Sequence, residues 1–164
     1  MARTGIPIDM SAASHRQHQH RHEPRQYVDS VARACEAREL KLTPLRRRVL
    51  ELIARERKPV KAYDLLDRLK GEREHAAPPT VYRALDFLLE HGFIHKLESV
   101  NAYLSCPHPD ERHTVPFFIC DQCASATELC DDKVSLLLDK QAATLGFTPA
   151  SRTVEVHGTC ARCK

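Results

Sequence analysis

A chain of 164 residues, 42% hydrophobic and 29% charged, has room for one domain or two small ones and reads as soluble and globular. No apolar run reaches the roughly 18 residues a bilayer span needs, and the N-terminus lacks the apolar core of a secretory signal, so the expectation is a cytoplasmic protein with no membrane partner. The net charge of +3 is unevenly spread, with 19 Lys and Arg against 14 Asp and Glu in residues 1–98 and 6 against 8 in residues 99–164, which puts any polyanion partner at the front.

Residues 1–25 are polar and aperiodic and read as a disordered tail, with the run HRQHQHRH at 15–22. Such a segment must be ordered before it can bind, so the histidine run is read as a solvated tail. From Tyr27 to Leu40, the residues Val28, Val31, Ala34 and Cys35 recur at helical spacing, which places Cys35 on a core face. In LTPLRRRVLELIARERKP, Thr43 suits an N-cap and Pro44 the first helical position. Leu45, Val49, Leu52 and Ile53 form one stripe there, and Pro59 ends the run. AYDLLDRLKG reads as a short helix with Leu65, Leu66 and Leu69 inward and Gly71 as its stop. APPTVYRALDFLLEHGF gives another, with Val81, Leu85, Leu88 and Leu89 on its apolar face and Gly92 at its end. FIHKLES and AYLSC alternate about Val100 and Asn101, which predicts a β-hairpin. Helix, helix, turn, helix, hairpin is the order of a winged helix-turn-helix, with the recognition helix at about 79–91.

The back half reads as a small α/β unit. TVPFFIC, SATELC and SRTVEVHGTC are strand candidates. DDKVSLLLDKQAATLGF is an amphipathic helix with acids in its first turn and Gly146 just past its end. The expected fold class is α+β: a tail at 1–25, a winged-helix DNA-binding domain at 26–100 and a second domain at 101–164.

Six of the seven cysteines lie in the last 59 residues. In a reducing compartment such clustering points to metal rather than disulfides. Cys120 and Cys123 form CDQC, Cys160 and Cys163 form CARC, and 36 residues separate the pairs. Two thiolate pairs supply the four soft ligands of a closed tetrahedral zinc site. A redox reading needs only one such pair at a helix start. A second, mixed set is His95 in the wing, Cys106 after it, His113 before the next strand and Glu128 after CDQC. Imidazole, thiolate and carboxylate together make a tetrahedral site, and His108 can replace His113 on spacing alone. Thr80, Tyr82 and Arg83 sit at the front of the recognition helix, where base edges and phosphates are reached. Arg46, Arg47 and Arg48 offer phosphate contacts from the preceding helix.

These motifs together resemble the ferric uptake regulator superfamily, from about Tyr27 to Lys164. PPTVYRALDFLLEHGFIHKLES, FFICDQC and VEVHGTCARC are similar to its zinc-uptake-regulator branch. The resemblance implies a homodimer whose C-terminal domain, 101–164, carries dimerisation and metal binding, with two Zn2+ sites per subunit. It implies a double-stranded DNA operator and repression of zinc-uptake genes by the zinc-loaded form. By position, Cys120, Cys123, Cys160 and Cys163 match the structural zinc ligands, and His95, Cys106, His113 and Glu128 the regulatory ones. Tyr82 and Arg83 match recognition-helix contacts, with Tyr63 a further DNA-facing residue. Asp67 matches a residue that bridges adjacent dimers on DNA. Its family partner is an arginine, replaced here by Lys70, which keeps the charge and loses the bidentate fork. An enzyme is not expected, because four ligands at each site leave no open position for water and no general base stands out. The alternatives are an iron- or peroxide-sensing member of the same superfamily and a zinc-containing thiol oxidoreductase.

Overall fold

The computed structural model describes residues 23–71, 77–109, 115–129 and 131–164. The histidine-rich run, His113 and Cys130 lie outside the described residues. Four helices come first: α1 (Pro24–Ala37), α2 (Pro44–Arg55), α3 (Ala62–Lys70) and α4 (Pro78–Glu90). Pro24 opens α1, a fixed φ with no amide to lose, so the helix begins before its apolar periodicity does. Helix α1 therefore begins inside the stretch expected to be tail. Thr43 caps α2, its hydroxyl accepting the Arg46 N–H at 3.4 Å. Gly71 ends α3 with φ of −66°, an ordinary right-handed value, so the freedom expected of a stop glycine is not used there. Gly92, by contrast, follows α4 with φ of 73° and turns the chain directly into the hairpin.

The hairpin is β1 (Ile94–Leu97) and β2 (Ala102–Ser105), paired antiparallel from Ile94 opposite Ser105 to Leu97 opposite Ala102. Asn101 takes the left-handed conformation in its turn, at φ of 47°. Val60, just before α3, exchanges two 2.8 Å backbone hydrogen bonds with Tyr103, which ties the hairpin to the helices. The helical faces close on one core that includes Val31, Val49, Leu50, Leu65, Leu69, Leu85, Leu88 and Phe93. This is the winged-helix arrangement the sequence predicts.

The second half is a three-stranded sheet in the order β4 (Ala126–Glu128), β3 (Phe117–Cys120), β5 (Glu155–Gly158). β4 runs antiparallel to β3 and β5 parallel to it, with α5 (Asp132–Thr144) in the crossover that a parallel pair requires. The strands are shorter than their apolar runs. Pro116 has no amide to give a ladder, so β3 starts at Phe117. A smaller core joins the two halves: Leu97 of the hairpin is fully buried with Phe117 and Ile119 of β3. The expected boundary at 100/101 falls inside the hairpin turn, between two strands that pair with each other.

Among the described residues, nothing covers the apolar side of α5. Leu136, Leu137 and Leu138 are 64%, 57% and 39% exposed. Three consecutive residues sweep about 200° of a helix, more than one sheet face can cover. Among the described residues, no helix is long and apolar enough to cross a membrane.

The two faces of α4 predict opposite outcomes for two substitutions. Leu85→Ala, at a fully buried position, should cost about 2–5 kcal/mol in urea unfolding. Tyr82→Ala, on the exposed side, should stay within about 0.5 kcal/mol. Equal losses would contradict this orientation of the helix.

Candidate functional site

The parallel pairing of β3 with β5 brings the two Cys-x-x-Cys motifs together. Parallel strands finish at the same end of a sheet, and the register sets Cys120 beside Gly158. Cys160 then follows two residues later, and the Asp121 N–H donates to the Gly158 carbonyl at 2.9 Å. The turn after Cys120 folds back through Ala124, whose N–H donates to the Cys120 carbonyl at 2.9 Å with φ of 55°. In the other motif, the Cys163 N–H reaches the Cys160 carbonyl at 2.9 Å. The sulfurs of Cys120, Cys123, Cys160 and Cys163 all lie within 4.8 Å of one another.

Their surroundings favour thiolate unevenly. The Ser125 hydroxyl, 3.1 Å from the Cys123 sulfur, and the Ser125 amide draw that thiol down to about 6. The Cys160 N–H, 3.4 Å from the Cys120 sulfur, lowers Cys120 as well. Cys163 is pushed up to about 12 by sharing its proton with the sulfurs of Cys160 and Cys123. Four anionic sulfurs this close repel one another unless a cation balances them. Ligands about 2.3 Å from a tetrahedral zinc stand roughly 3.8 Å apart, and the Cys123 and Cys160 sulfurs are 3.8 Å apart. The donor set and spacing fit a structural zinc.

The mixed set straddles the two halves. His95 projects from β1 and Glu128 from the end of β4, with Nε2 and Oε2 3.6 Å apart and side chains only 14% and 7% exposed. The His95 ring also stands edge-on to Phe117 at 5.2 Å. Cys106 is fully buried just past β2. Its N–H donates to the Phe93 carbonyl at 3.1 Å and to the Tyr27 hydroxyl at 3.3 Å. The Tyr27 hydroxyl itself donates to the Phe93 carbonyl. Burial, then the nearby charges of Cys106 and Glu128, hold that phenol strongly protonated. Tyr27 thus ties Cys106 and Phe93 to α1. His113 is outside the described residues, and His108 is exposed.

The expected DNA contacts form an exposed surface. Tyr63 on α3 is 70% exposed, and Thr80, Tyr82 and Arg83 all face solvent on α4. Arg46 is engaged inside the protein: its guanidinium lies 3.6 Å over the Phe87 ring and donates to the Lys41 carbonyl at 2.6 Å. Arg47 pairs with Asp29 and Glu51, and Arg48 with Glu51. Lys70 sits 3.7 Å from Asp67 on its own helix.

Sequence reasoning passed over three residues at the junction. Tyr27 carried a faint signal, a polar-tipped aromatic on an apolar helix face. Glu155 and His157 were visible only as alternating polar residues of a strand. Glu155 accepts the N–H groups of Glu98 and Ser99 at 2.6 and 3.0 Å. His157 lies between Asp121 and Ser99, at 2.8 and 2.9 Å. Partial burial alone would raise the Glu155 carboxyl, but the hydrogen bonds from Ser99 and Glu98 outweigh it and hold the group below its ordinary value. Its contribution is therefore complete at neutral pH and is lost as pH falls through the carboxylate range.

The pattern of the ferric uptake regulator family matches residues 37–157. The zinc uptake regulation protein of Escherichia coli is 46% identical over 130 residues, covering 79% of this chain and 76% of its own. A zinc uptake regulator solved with zinc and DNA is 42% identical with a TM-score of 0.83, over 87% of this chain and 95% of that one. Holo XcZur is 57% identical with a TM-score of 0.78, over 84% of this chain and 96% of that one. Apo XcZur, 55% identical over 85% and 97% of the two chains, gives a TM-score of only 0.51. The chain belongs to the ferric uptake regulator family.

Cys160→Ser should lower tightly held metal by one equivalent per chain after dialysis against a weak chelator, measured by elemental analysis, and should lower the melting temperature. Unchanged metal content would mean that the four sulfurs do not act as one site.

Proposed function

Starting from that family membership, we propose that the protein is a zinc-responsive, DNA-binding transcriptional regulator, a homodimer that represses zinc-uptake genes when zinc-loaded. It is a transcription factor and not an enzyme. The observation that carries this reading is the 3.6 Å approach of His95, from the wing, to Glu128, from the C-terminal sheet. A ligand pair that spans the boundary lets metal occupancy act on the angle between the halves.

Cys120, Cys123, Cys160 and Cys163 would hold a structural zinc that contributes folding free energy to a small sheet. His95, Cys106, His113 and Glu128 would hold the regulatory ion. The soft Cys106 thiolate favours zinc over the Fe(II) or Mn(II) of an iron-sensing relative. Bound there, a divalent cation would offset the Glu128 and Cys106 charges at a buried junction. The likeness of this fold to holo XcZur, and its much lower score against the apo form of that protein at similar identity, supports a change of shape on metal loading. The switch is then a population shift: regulatory zinc binds the arrangement that matches DNA better than the others. Moving the equilibrium from 1:99 to 99:1 takes about 5.5 kcal/mol of differential binding.

Leu136, Leu137 and Leu138 offer apolar surface to a second copy of the chain. Two winged helices would then present their α4 helices to half-sites about one DNA turn apart. Arg83 suits a guanine edge, Thr80 and Tyr82 suit base or phosphate contacts, and Tyr63 suits the adjoining backbone. Arg46, held on Phe87, serves better to brace α2 against α4 while its edge meets a phosphate. The Asp67–Lys70 pair lies within one helix, so a bridge to a neighbouring dimer would have to break it.

A duplex selected from random DNA by the zinc-loaded protein provides the operator probe. Cys106→Ser should abolish zinc-dependent binding to it while dimer mass and one zinc per chain persist. Unchanged zinc-dependent affinity would overturn the assignment of the regulatory site. Arg83→Ala should cost roughly 1–3 kcal/mol on that duplex and far less on random DNA. Equal losses on both would make Arg83 a phosphate contact.

A further inference from the structure

Glu155 opens β5 directly opposite Phe117 of β3. Its side chain leaves the C-terminal sheet and meets the turn between β1 and β2. Each carboxylate oxygen takes one main-chain amide, Oε1 from Glu98 at 2.6 Å and Oε2 from Ser99 at 3.0 Å. A carboxylate on two consecutive N–H groups makes charge-assisted bonds to the main chain, and the Ser99 side chain adds a further hydrogen bond to it. Two residues on, and so on the same side of the strand, His157 reaches the Ser99 hydroxyl through Nε2 at 2.9 Å. Its Nδ1 lies 2.8 Å from Asp121 in the first cysteine turn. The other flank of the turn is Leu97, fully buried against Phe117 and Ile119. The turn is therefore fastened by main-chain hydrogen bonds on one side and by a small apolar core on the other.

The consequences reach both ends of the hairpin. β1 carries His95 and follows α4 after a single turn, and β2 leads into Cys106. Fixing this turn on the sheet limits how far α4 can swing. We propose that Glu155 is a positioning residue for DNA binding: its carboxylate clamps the backbone of the hairpin turn to the C-terminal sheet and pre-sets the angle of α4 independently of the His95–Glu128 site. The proposal rests on the DNA-binding reading above and adds a second, metal-independent device to it. A pre-set angle lowers the ordering cost that metal and operator binding must otherwise meet.

The test uses the full-length zinc-loaded protein and the selected duplex. Amide hydrogen exchange at Glu98 and Ser99, zinc stoichiometry and duplex affinity are measured for wild type, Glu155→Ala, Glu155→Gln and Ser99→Ala. Glu155→Ala should speed exchange at both amides roughly tenfold or more and weaken duplex binding about three- to tenfold, a modest figure because water competes at this exposed turn. Zinc content should not change. Glu155→Gln should fall between, since a carboxamide keeps one accepting oxygen. Ser99→Ala keeps both main-chain bonds and loses only the hydroxyl's contacts, so it should exchange much closer to wild type than Glu155→Ala does, a pattern that general loosening would not produce. Wild-type exchange rates in Glu155→Ala and Glu155→Gln would overturn the clamp. Faster exchange with wild-type affinity would overturn its role in DNA binding. If Glu155→Ala does not fold, Glu155→Gln decides by the same two readings. Failure of the wild-type protein to bind the duplex in a zinc-dependent way would instead overturn the function proposed above, leaving the exchange data to decide the clamp alone.

Discussion

The parallel pairing of β3 with β5 is the constraint on which the rest of this protein depends. A parallel neighbour places the ends of both strands together, and only then do Cys120 and Cys123 meet Cys160 and Cys163. The same pairing requires a crossover, which α5 supplies. It also sends Glu155 and His157 out of the sheet toward the hairpin turn. A sheet of three short strands has little core of its own: Phe117 and Ile119 are its principal buried side chains. A cation drawing the four sulfurs together would close the sheet at the end where hydrophobic burial contributes least.

The junction between the halves is built from three different kinds of contact. Leu97 packs on Phe117 and Ile119 without direction, Glu155 holds the turn by main-chain hydrogen bonds, and His95 faces Glu128 at 3.6 Å with both side chains largely buried. The first two work in any metal state. Under the proposed function, the third is the one whose energy would change with a bound cation, because a cation there would offset the charge of a buried carboxylate. A hinge built in that proposed way, with two permanent fastenings and one conditional one, would be suited to switching between a few arrangements. Tyr27 extends the conditional contact inward, since its hydroxyl accepts the Cys106 amide and donates to Phe93 at the entrance to β1.

Much of this was legible in the residues before any coordinates. Helical periodicity, Thr43 with Pro44, and Gly92 located the helices and the hairpin because those signals are local. The paired Cys-x-x-Cys motifs were legible because four soft ligands at that spacing have few other uses. Contacts between segments far apart in the chain were not. Glu155 and His157 looked like solvent-facing residues of a strand, and only the β5 register shows that they face Ser99. Arg46 reads from the sequence as a phosphate contact, and nothing local reveals that its guanidinium also lies over Phe87. The division near residue 100 is read from the wing, within or just after it, and the β1–β2 pairing from Leu97 to Ala102 crosses that point. The α5 segment reads as an amphipathic helix, but the consecutive Leu136, Leu137 and Leu138 must point in several directions, and the described residues do not cover them.

The central claim is that the ligands gathered at this junction set the angle of the DNA-reading helix. It is tested most directly by pulsed electron–electron spectroscopy between spin labels on non-cysteine residues introduced in α4 and α5, recorded as zinc is raised from one to two equivalents per chain. The account predicts a broad distance distribution at one equivalent that narrows to a single short population at two, and no narrowing in Glu128→Gln. A distribution that is equally narrow at one and two equivalents, or that narrows in Glu128→Gln as in wild type, would contradict it.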